Sequence, residues 1–345
     1  MAAENRRALI TGISGQDGSF LAELLLGKGY AVTGLVRGPA TGRGDALHDD
    51  VPAEPPLGCS EHLRDRLALV SGELLQPASL HAAIEAVRPH EIYHLAAPSF
   101  IPASWEHPRE TVLAIAGSTA AVLETVRELN READSAIRVF VPASAAIYGD
   151  APESPQREDT PCRPTTPYGA ARLAAHELVG QLRAHDGLHA SSGIVFNHES
   201  ERRPERFVTR RIARAAAAIS LGLQHEVTLG DLSAVRDWSF AGDIVYGAWL
   251  MLQQDEPGDY VLASGVAHTV ADFARVAFAC VDLDYERYVG VDPSLVRPAE
   301  TVPSVGDPAR ARERLGWRPR LAFEELVQRM VAADLRELEH VPTGA

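Results

Sequence analysis

Cysteine is scarce in this chain, and its spacing suits neither a cross-link framework nor a metal site. Cys59, Cys162 and Cys280 are far apart, odd in number and outside any CxxC pattern. A disulfide scaffold and a structural zinc are therefore not expected, and no metal ligand set stands out. Long hydrophobic runs are also missing: none approaches the roughly 18 residues that a membrane-spanning helix needs. The start, MAAENRRALITG, runs straight into a strand pattern without the apolar stretch of a secretory leader. A cytoplasmic location is the expectation. Positive charge is in short supply, with 33 Lys and Arg against 47 Asp and Glu, a net charge of −14. Such a balance argues against nucleic acid and anionic membrane as partners, although local arginines can still hold an anionic ligand. Internal repeats, low-complexity tracts and flexible linkers are absent as well.

What remains is a chain of 345 residues, 46% hydrophobic and 23% charged, enough for a nucleotide-binding domain with a smaller companion. Short apolar runs at 8–11, 31–36, 67–71, 92–97, 138–142 and 190–196 read as strands. Helical spacing falls between them at 20–28, 79–87, 110–132 and 166–185. Strands alternating with helices imply parallel crossovers and an α/β, Rossmann-type doubly wound sheet. The stretch 38–60, rich in Gly, Pro and Asp, reads as a surface loop. Beyond residue 197, arginine-rich loops alternate with helices at 207–221, 244–253, 270–281 and 323–339. The division expected is 1–196 for the doubly wound domain, whose ligand the next motifs indicate. Residues 197–345 would then form a smaller C-terminal substrate-binding lobe, with some segments returning to the sheet.

The first strand runs into TGISGQDG, with Gly12, Gly15 and Gly18 flanking Gln16 and Asp17. Glycines let backbone N–H groups approach a pyrophosphate, and the N-terminus of the following helix favours its charge. Glycine also serves ordinary turns, but a strand before and a helix after give this triplet the dinucleotide-binding context. The second strand ends in LVRGP, with Arg37 where an NAD site usually carries Asp or Glu. An arginine can hold a 2′-phosphate, so NADP is favoured over NAD; a solvated loop arginine is the other reading. Glu73 and Leu74 follow the third strand, in position to meet the adenine. HLAAPS, with Leu95, Ala96, Ala97 and Ser99, follows the fourth, where the cofactor's pyrophosphate and ribose should pass.

TPYGAARLAA places Tyr168 one helical turn before Arg172. A nearby cation stabilises a phenolate and so equips tyrosine for proton transfer. Alone, the pair reads more readily as a surface arginine beside a buried aromatic. Ser144, at the end of the fifth strand in PASAAIYGD, changes the balance. A serine hydroxyl and a phenol converging on one carbonyl suit hydride chemistry: tyrosine moves the proton and serine polarises the oxygen.

With these residues in hand, the chain resembles an extended short-chain dehydrogenase/reductase, and within that group it is similar to the GDP-mannose 4,6-dehydratases from end to end. The resemblance is carried by ALITGISGQDGSFLAELLLGKGY, EIYHLAAPSF, TPYGAARLAAHELV, GIVFNHESERR, RFVTRRI, LGDLSAVRDWSFAGD, VRPAE and LGWRPRLAFEELVQRMV. By match it implies that Asn197, Val208, Arg211, Arg236, Arg297 and Glu300 bind the nucleotide diphosphate part of an activated sugar, where arginine forks meet phosphate oxygens in pairs. It also implies that His198 and Arg203 lie on the cofactor side, that Arg172 contacts the cofactor ribose, and that NADP or NAD stays tightly bound and is recycled. A homodimer or homotetramer is implied too, since the ERR loop helps build a tetramer in that family.

Three departures bear on the reaction. The family's dehydratases carry Thr-x-Glu where this chain has Ser144-Ala145-Ala146, so the residue that removes the C5 proton and assists loss of water is missing. Arg172 stands where the family has lysine. Pro98 and Phe100 replace Gln and His, giving a less polar wall. Oxidation at C4 needs only Ser144, Tyr168 and the nicotinamide. The expectation is therefore a 4-epimerase for a purine-nucleotide-activated (GDP or ADP) manno-type hexose or heptose, through a transient 4-keto sugar. The alternatives are a 4,6-dehydratase with another base, a 4-ketoreductase and a non-catalytic sugar-nucleotide binder.

Overall fold

Each short apolar segment of the N-terminal half is followed by a helical one, so successive strands can pair only in parallel, through crossovers. The computed structural model describes residues 6–37, 57–132, 136–295 and 302–340. The first elements are β1 (Arg7–Thr11), α1 (Gln16–Gly27), β2 (Ala31–Val36), β3 (Ala68–Ser71), α2 (Pro77–Val87) and β4 (Glu91–His94). Then come α3 (Ala103–Glu106), α4 (Pro108–Val112), α5 (Ser118–Glu132), β5 (Arg138–Ser144), α6 (Pro167–Asp186) and β6 (Ala190–Val195). The remainder is β7 (Asn197–Glu199), α7 (Val208–Ser220), β8 (Val227–Leu229), β9 (Val235–Phe240), α8 (Ala241–Gln253), β10 (Tyr260–Leu262), β11 (Ala267–Thr269), α9 (Val270–Ala279), β12 (Val289–Val291), α10 (Ala309–Leu315) and α11 (Phe323–Glu339).

Seven strands form the main sheet in the order β10-β6-β5-β4-β1-β2-β3, the doubly wound Rossmann pattern. The pairs of β1 with β2 and β4, of β2 with β3 and of β4 with β5 are parallel. Strand order reverses between β1 and β4, the place where such sheets bind ligands beyond the strands' carboxyl ends. A three-stranded sheet, β11-β9-β7, and a pair, β12-β8, complete the strands among the described residues.

The chain divides into two compact units: Met1–Gly149, Cys162–Ile194 and Val245–Tyr260 in one, Asp150–Pro161, Val195–Ile244 and Val261–Ala345 in the other. The first has a core of Leu9, Ile92, Val122, Val126, Val139 and Val179, all fully buried. Its β4 begins on Glu91, a fully buried carboxylate that accepts hydrogen bonds from Arg6, Tyr30, Tyr93 and Gln253. The second unit packs Ile212, Ala215, Ala216 and Ile219 of α7, at helical spacing, with α9 and α11. There the Trp238 ring lies 5.5 Å edge-on from Phe273 and 6.0 Å stacked from Phe323.

Several boundaries differ from the sequence reading. The first helix starts at Gln16, because the glycine turn is already closed there by the Gly15 N–H bond to the Gly12 carbonyl. The fourth strand stops at His94, where its polar side chain turns into a hydrogen-bonded network. The stretch 110–132 is not one α-helix: Leu113–Gly117 is a π-helical turn between α4 and α5. The Ser118 and Thr119 hydroxyls cap carbonyls within that turn, a side-chain effect that apolar periodicity does not register. Of the expected 38–60 loop, residues 38–56 lie outside the described residues, and Gly58–Arg66 is a 3-10 helix. The strands of the smaller sheets, three residues each for β7, β8 and β11, are too short to leave a pattern in sequence.

Candidate active site

At the switch point, the turn after β1 and the end of β4 are in contact. Gly12 has φ +75°, and a Cβ there would stand 2.8 Å from the Ala96 nitrogen. A Cβ on Gly18 would fall 2.2 Å from the Gly12 carbonyl oxygen, so both positions require glycine. Gly15 precedes α1 as its N-cap without a side-chain cap, so the first N–H groups of the helix keep their affinity for an anion. A backbone cradle closed to any Cβ and an uncapped helix start fit a dinucleotide pyrophosphate. Gln16 and Asp17 bond one another at 3.1 Å beside it. Leu95, Ala96 and Ala97 are half-buried after β4, while Ser99 is exposed. Arg37 is exposed directly after β2, and Glu73 and Leu74 are half-buried after β3.

A chain of hydrogen bonds that sequence reading missed holds this turn. The Ala96 N–H donates to Thr11 Oγ1 at 3.0 Å, and Thr11 donates to His94 Nδ1 at 3.0 Å. His94 Nε2 then donates to Ser118 Oγ at 2.8 Å, and Ser118 donates to the Ala114 carbonyl at 2.7 Å. Each group gives one proton and takes one, so the imidazole is neutral with its proton on Nε2. Complete burial, followed by the charge of Arg172, pushes the His94 pKa down to about 4. The HLAA string contained His94, but nothing local in sequence tied it to Thr11 or Ser118.

Tyr168 sits in the first turn of α6, which Thr166 caps by accepting the Gly169 N–H at 3.0 Å. The spacing of four is realised as a direct bond: Arg172 Nε donates to the Tyr168 hydroxyl at 3.2 Å. The same guanidinium donates through Nη1 to the Pro142 carbonyl of β5 at 2.9 Å. Both side chains are buried at 7% exposure, which makes the bland reading of a surface arginine untenable. Ser144 ends β5, and its Oγ accepts the Ala146 N–H at 3.2 Å, leaving the hydroxyl proton for another acceptor. Ala146 packs, with Ala97 and Ile101, against the buried cluster of Ile115, Tyr168, Ala171 and Ala175. The turn is tight: a Cβ at Gly169 would stand 2.4 Å from the Ala146 carbonyl oxygen.

In the second unit, Asn197 on β7 and Arg236 on β9 occupy one three-stranded sheet. Val208 and Arg211 lie in the first turns of α7. Arg211 is exposed and, with Arg206, Arg214, Gln224, Glu226 and Thr228, lines a cavity of about 510 Å³. His198 Nδ1 is bonded to the Phe196 carbonyl at 2.8 Å. Arg203 forms an ion pair with the buried Glu199 at 3.1 Å and lies 3.6 Å over the Phe207 ring, so its guanidinium is engaged within its own loop. Arg297 and Glu300 lie outside the described residues. No group of three or more His, Cys, Asp or Glu among the described residues is placed to hold a metal. No helix among them is long and apolar enough to cross a membrane.

The model of the GDP-mannose 4,6 dehydratase family matches residues 9–330. GDP-mannose 4,6 dehydratase 1 of Arabidopsis thaliana is 43% identical over 331 residues, 95% of this chain and 89% of its own length. Among solved structures, the UDP-glucose 4-epimerase of Thermus thermophilus in complex with NAD superposes with a TM-score of 0.76 at 25% identity, covering 95% of this chain and 98% of that one. RMD from Pseudomonas aeruginosa complexed with NADPH gives a TM-score of 0.76 at 21% identity, over 96% and 99% of the two chains, a likeness of fold alone. On a family match that spans nearly every element described above, the chain belongs to the GDP-mannose 4,6-dehydratase family, NAD(P)-dependent nucleotide-sugar enzymes of the extended short-chain dehydrogenase/reductase type.

Proposed function

We propose that this enzyme is a nucleotide-sugar 4-epimerase, acting on a GDP- or ADP-activated manno-type hexose or heptose by way of a transient 4-keto sugar. The observation that carries the reading is Ala146. Where the family's dehydratases have a glutamate, this methyl group packs on the apolar cluster around Tyr168. Elimination of water from C5 and C6 then has no acid–base residue at that position, a loss that typically costs about 10²–10⁴ in rate. Oxidation and reduction at C4 lose nothing.

In this reading the Gly12–Gly18 turn, Leu95–Ala97 and Arg37 hold the dinucleotide, with Arg37 favouring NADP over NAD. When bound, the nicotinamide supplies a hydride acceptor and donor. Ser144 donates its hydroxyl proton to the sugar's C4 oxygen. Tyr168 takes the proton of the C4 hydroxyl as the ketone forms and returns it once the sugar has presented its other face, so no proton is gained or lost. Arg172, a guanidinium cation, stabilises negative charge on the phenol oxygen through the bond to it. Such a cation does not relay protons to solvent, which suits a closed cycle better than net ketone reduction. Asn197, Val208, Arg211 and Arg236 take the nucleotide diphosphate.

The second reading, a 4,6-dehydratase with another base, is favoured by the names of relatives at 43% identity. GDP- and ADP-mannose and the corresponding heptoses, incubated with the enzyme in D₂O, separate the two. A product of unchanged mass, inverted at C4 and without deuterium at C4 or C5, supports epimerisation. Loss of water with deuterium at C5 sinks it. The variant Ala146→Glu is expected to release a 4-keto-6-deoxy product that the parent enzyme does not form.

A further inference from the structure

We infer that Asp237 is the positioning residue for Arg236, and so for recognition of the nucleotide diphosphate; the inference rests on the substrate reading above. Asp237 is fully buried in the middle of β9, and its carboxylate gathers donors from two other segments of the same unit. Oδ1 accepts the Ser264 N–H at 2.8 Å and the Ser264 hydroxyl at 2.6 Å. Oδ2 accepts the Gly265 N–H at 2.8 Å and the Gly306 N–H at 3.3 Å.

These donors belong to the two segments that flank Arg236. Ser264 and Gly265 lead into β11, where His268 is the register partner of Arg236. On the other side Ser304 bridges to Arg236, and its carbonyl accepts the Asp237 N–H at 3.1 Å. One carboxylate thus ties the strand that carries the arginine to both of these segments. Successive strand residues point to opposite faces, so with Asp237 turned into this knot the Arg236 side chain is directed to the other face. Both segments need glycine for the approach: Gly265 has φ +80°, and a Cβ on Gly306 would stand 2.5 Å from Ala263. Four donors on two oxygens leave no room for an amide, whose NH₂ would face N–H groups.

A double-mutant cycle tests the inference, read by calorimetric titration of GDP and ADP into the purified enzyme, with NADP titrated as a control. Arg236→Ala is expected to weaken the preferred nucleotide about tenfold or more. Asp237→Asn should weaken it comparably in the wild-type background and by less than about twofold when Arg236→Ala is already present. NADP affinity should stay within about twofold in all variants, since the Gly12–Gly18 turn is intact. Ser264→Ala, which removes a single donor, should shift nucleotide affinity in the same direction by less, and serves if Asp237→Asn does not fold. Equal losses from Asp237→Asn in both backgrounds, or a Ser264→Ala enzyme with undiminished nucleotide affinity, overturn the positioning role. If Arg236→Ala binds nucleotide as well as wild type, the substrate reading itself fails and takes this inference with it.

Discussion

At the scale of single residues, the proposed reaction places proton transfer on the Tyr168–Arg172 pair. The chain has one lysine, Lys28, among its 33 basic residues, so arginine at 172 is what its composition would supply. What gives the exchange meaning is geometry: the guanidinium spans from the Pro142 carbonyl to the phenol oxygen. Arg172→Ala is expected to lower kcat by about 10², and Arg172→Lys to recover at least about tenfold of that, because charge beside the phenolate matters more than the fork. Steady-state kinetics of the two variants check this; a lysine variant as slow as the alanine one would assign the role to the second bond instead. The spacing of four was legible in sequence because helix geometry converts it directly into contact. The bond to Pro142 was not, since the two residues are 30 positions apart.

Individual elements set the orientation of these groups. Tyr168 is two residues inside α6, so the Thr166 cap orients the turn that carries it as well as starting the helix. Thr166→Ala should cost about 1 kcal/mol in urea unfolding and lower turnover, with both restored by Thr166→Ser. Strand β4 divides its duties by end. His94 closes its carboxyl end, while Glu91 opens the other with four donors. Glu91→Ala leaves Tyr30 and Tyr93 without their acceptor and Arg6 with Gln253 Oε1 in its place, and should cost about 3 kcal/mol. Activity per folded molecule should be unchanged, measured as kcat corrected for the folded fraction. The apolar pattern announced β4, α6 and the helical character of 110–132, but not the break within that stretch. Its π turn arises where the Ser118 and Thr119 hydroxyls compete for backbone carbonyls, and one of them also anchors His94.

For the whole molecule, two buried titrating groups act in opposite senses on acid stability. The His94 pKa is depressed from 6.5 to about 4, so its contribution is intact above pH 6.5 and is lost as pH falls toward 4. The Asp334 carboxyl, fully buried on α11 beside Arg210, is raised by burial from 3.8 to about 6. Its contribution is therefore present below pH 3.8 and is lost as pH rises through 6. Each is worth about 3 kcal/mol at its limit, so they nearly offset one another between pH 4 and 6. The unfolding free energy of His94→Asn should fall as pH rises from 4 to 6, and that of Asp334→Asn should fall as pH drops over the same window. Chemical denaturation at four or five pH values would show both, and parallel profiles for the two variants would refute the assignment.

The amino-acid order alone determined the features that depend on near neighbours. These are the alternation of strand and helix, the Gly12–Gly18 turn and the Tyr168–Arg172 spacing. Each rests on local backbone geometry, which repeats at fixed intervals along the chain. Only the tertiary structure decided what links distant positions. It joined Thr11, His94 and Ser118 into one neutral hydrogen-bonded chain, and bound Asp237 to Ser264, Gly265 and Gly306 around Arg236. Buried polar groups must find partners wherever the fold brings them, and no periodicity in the sequence encodes which partners those will be.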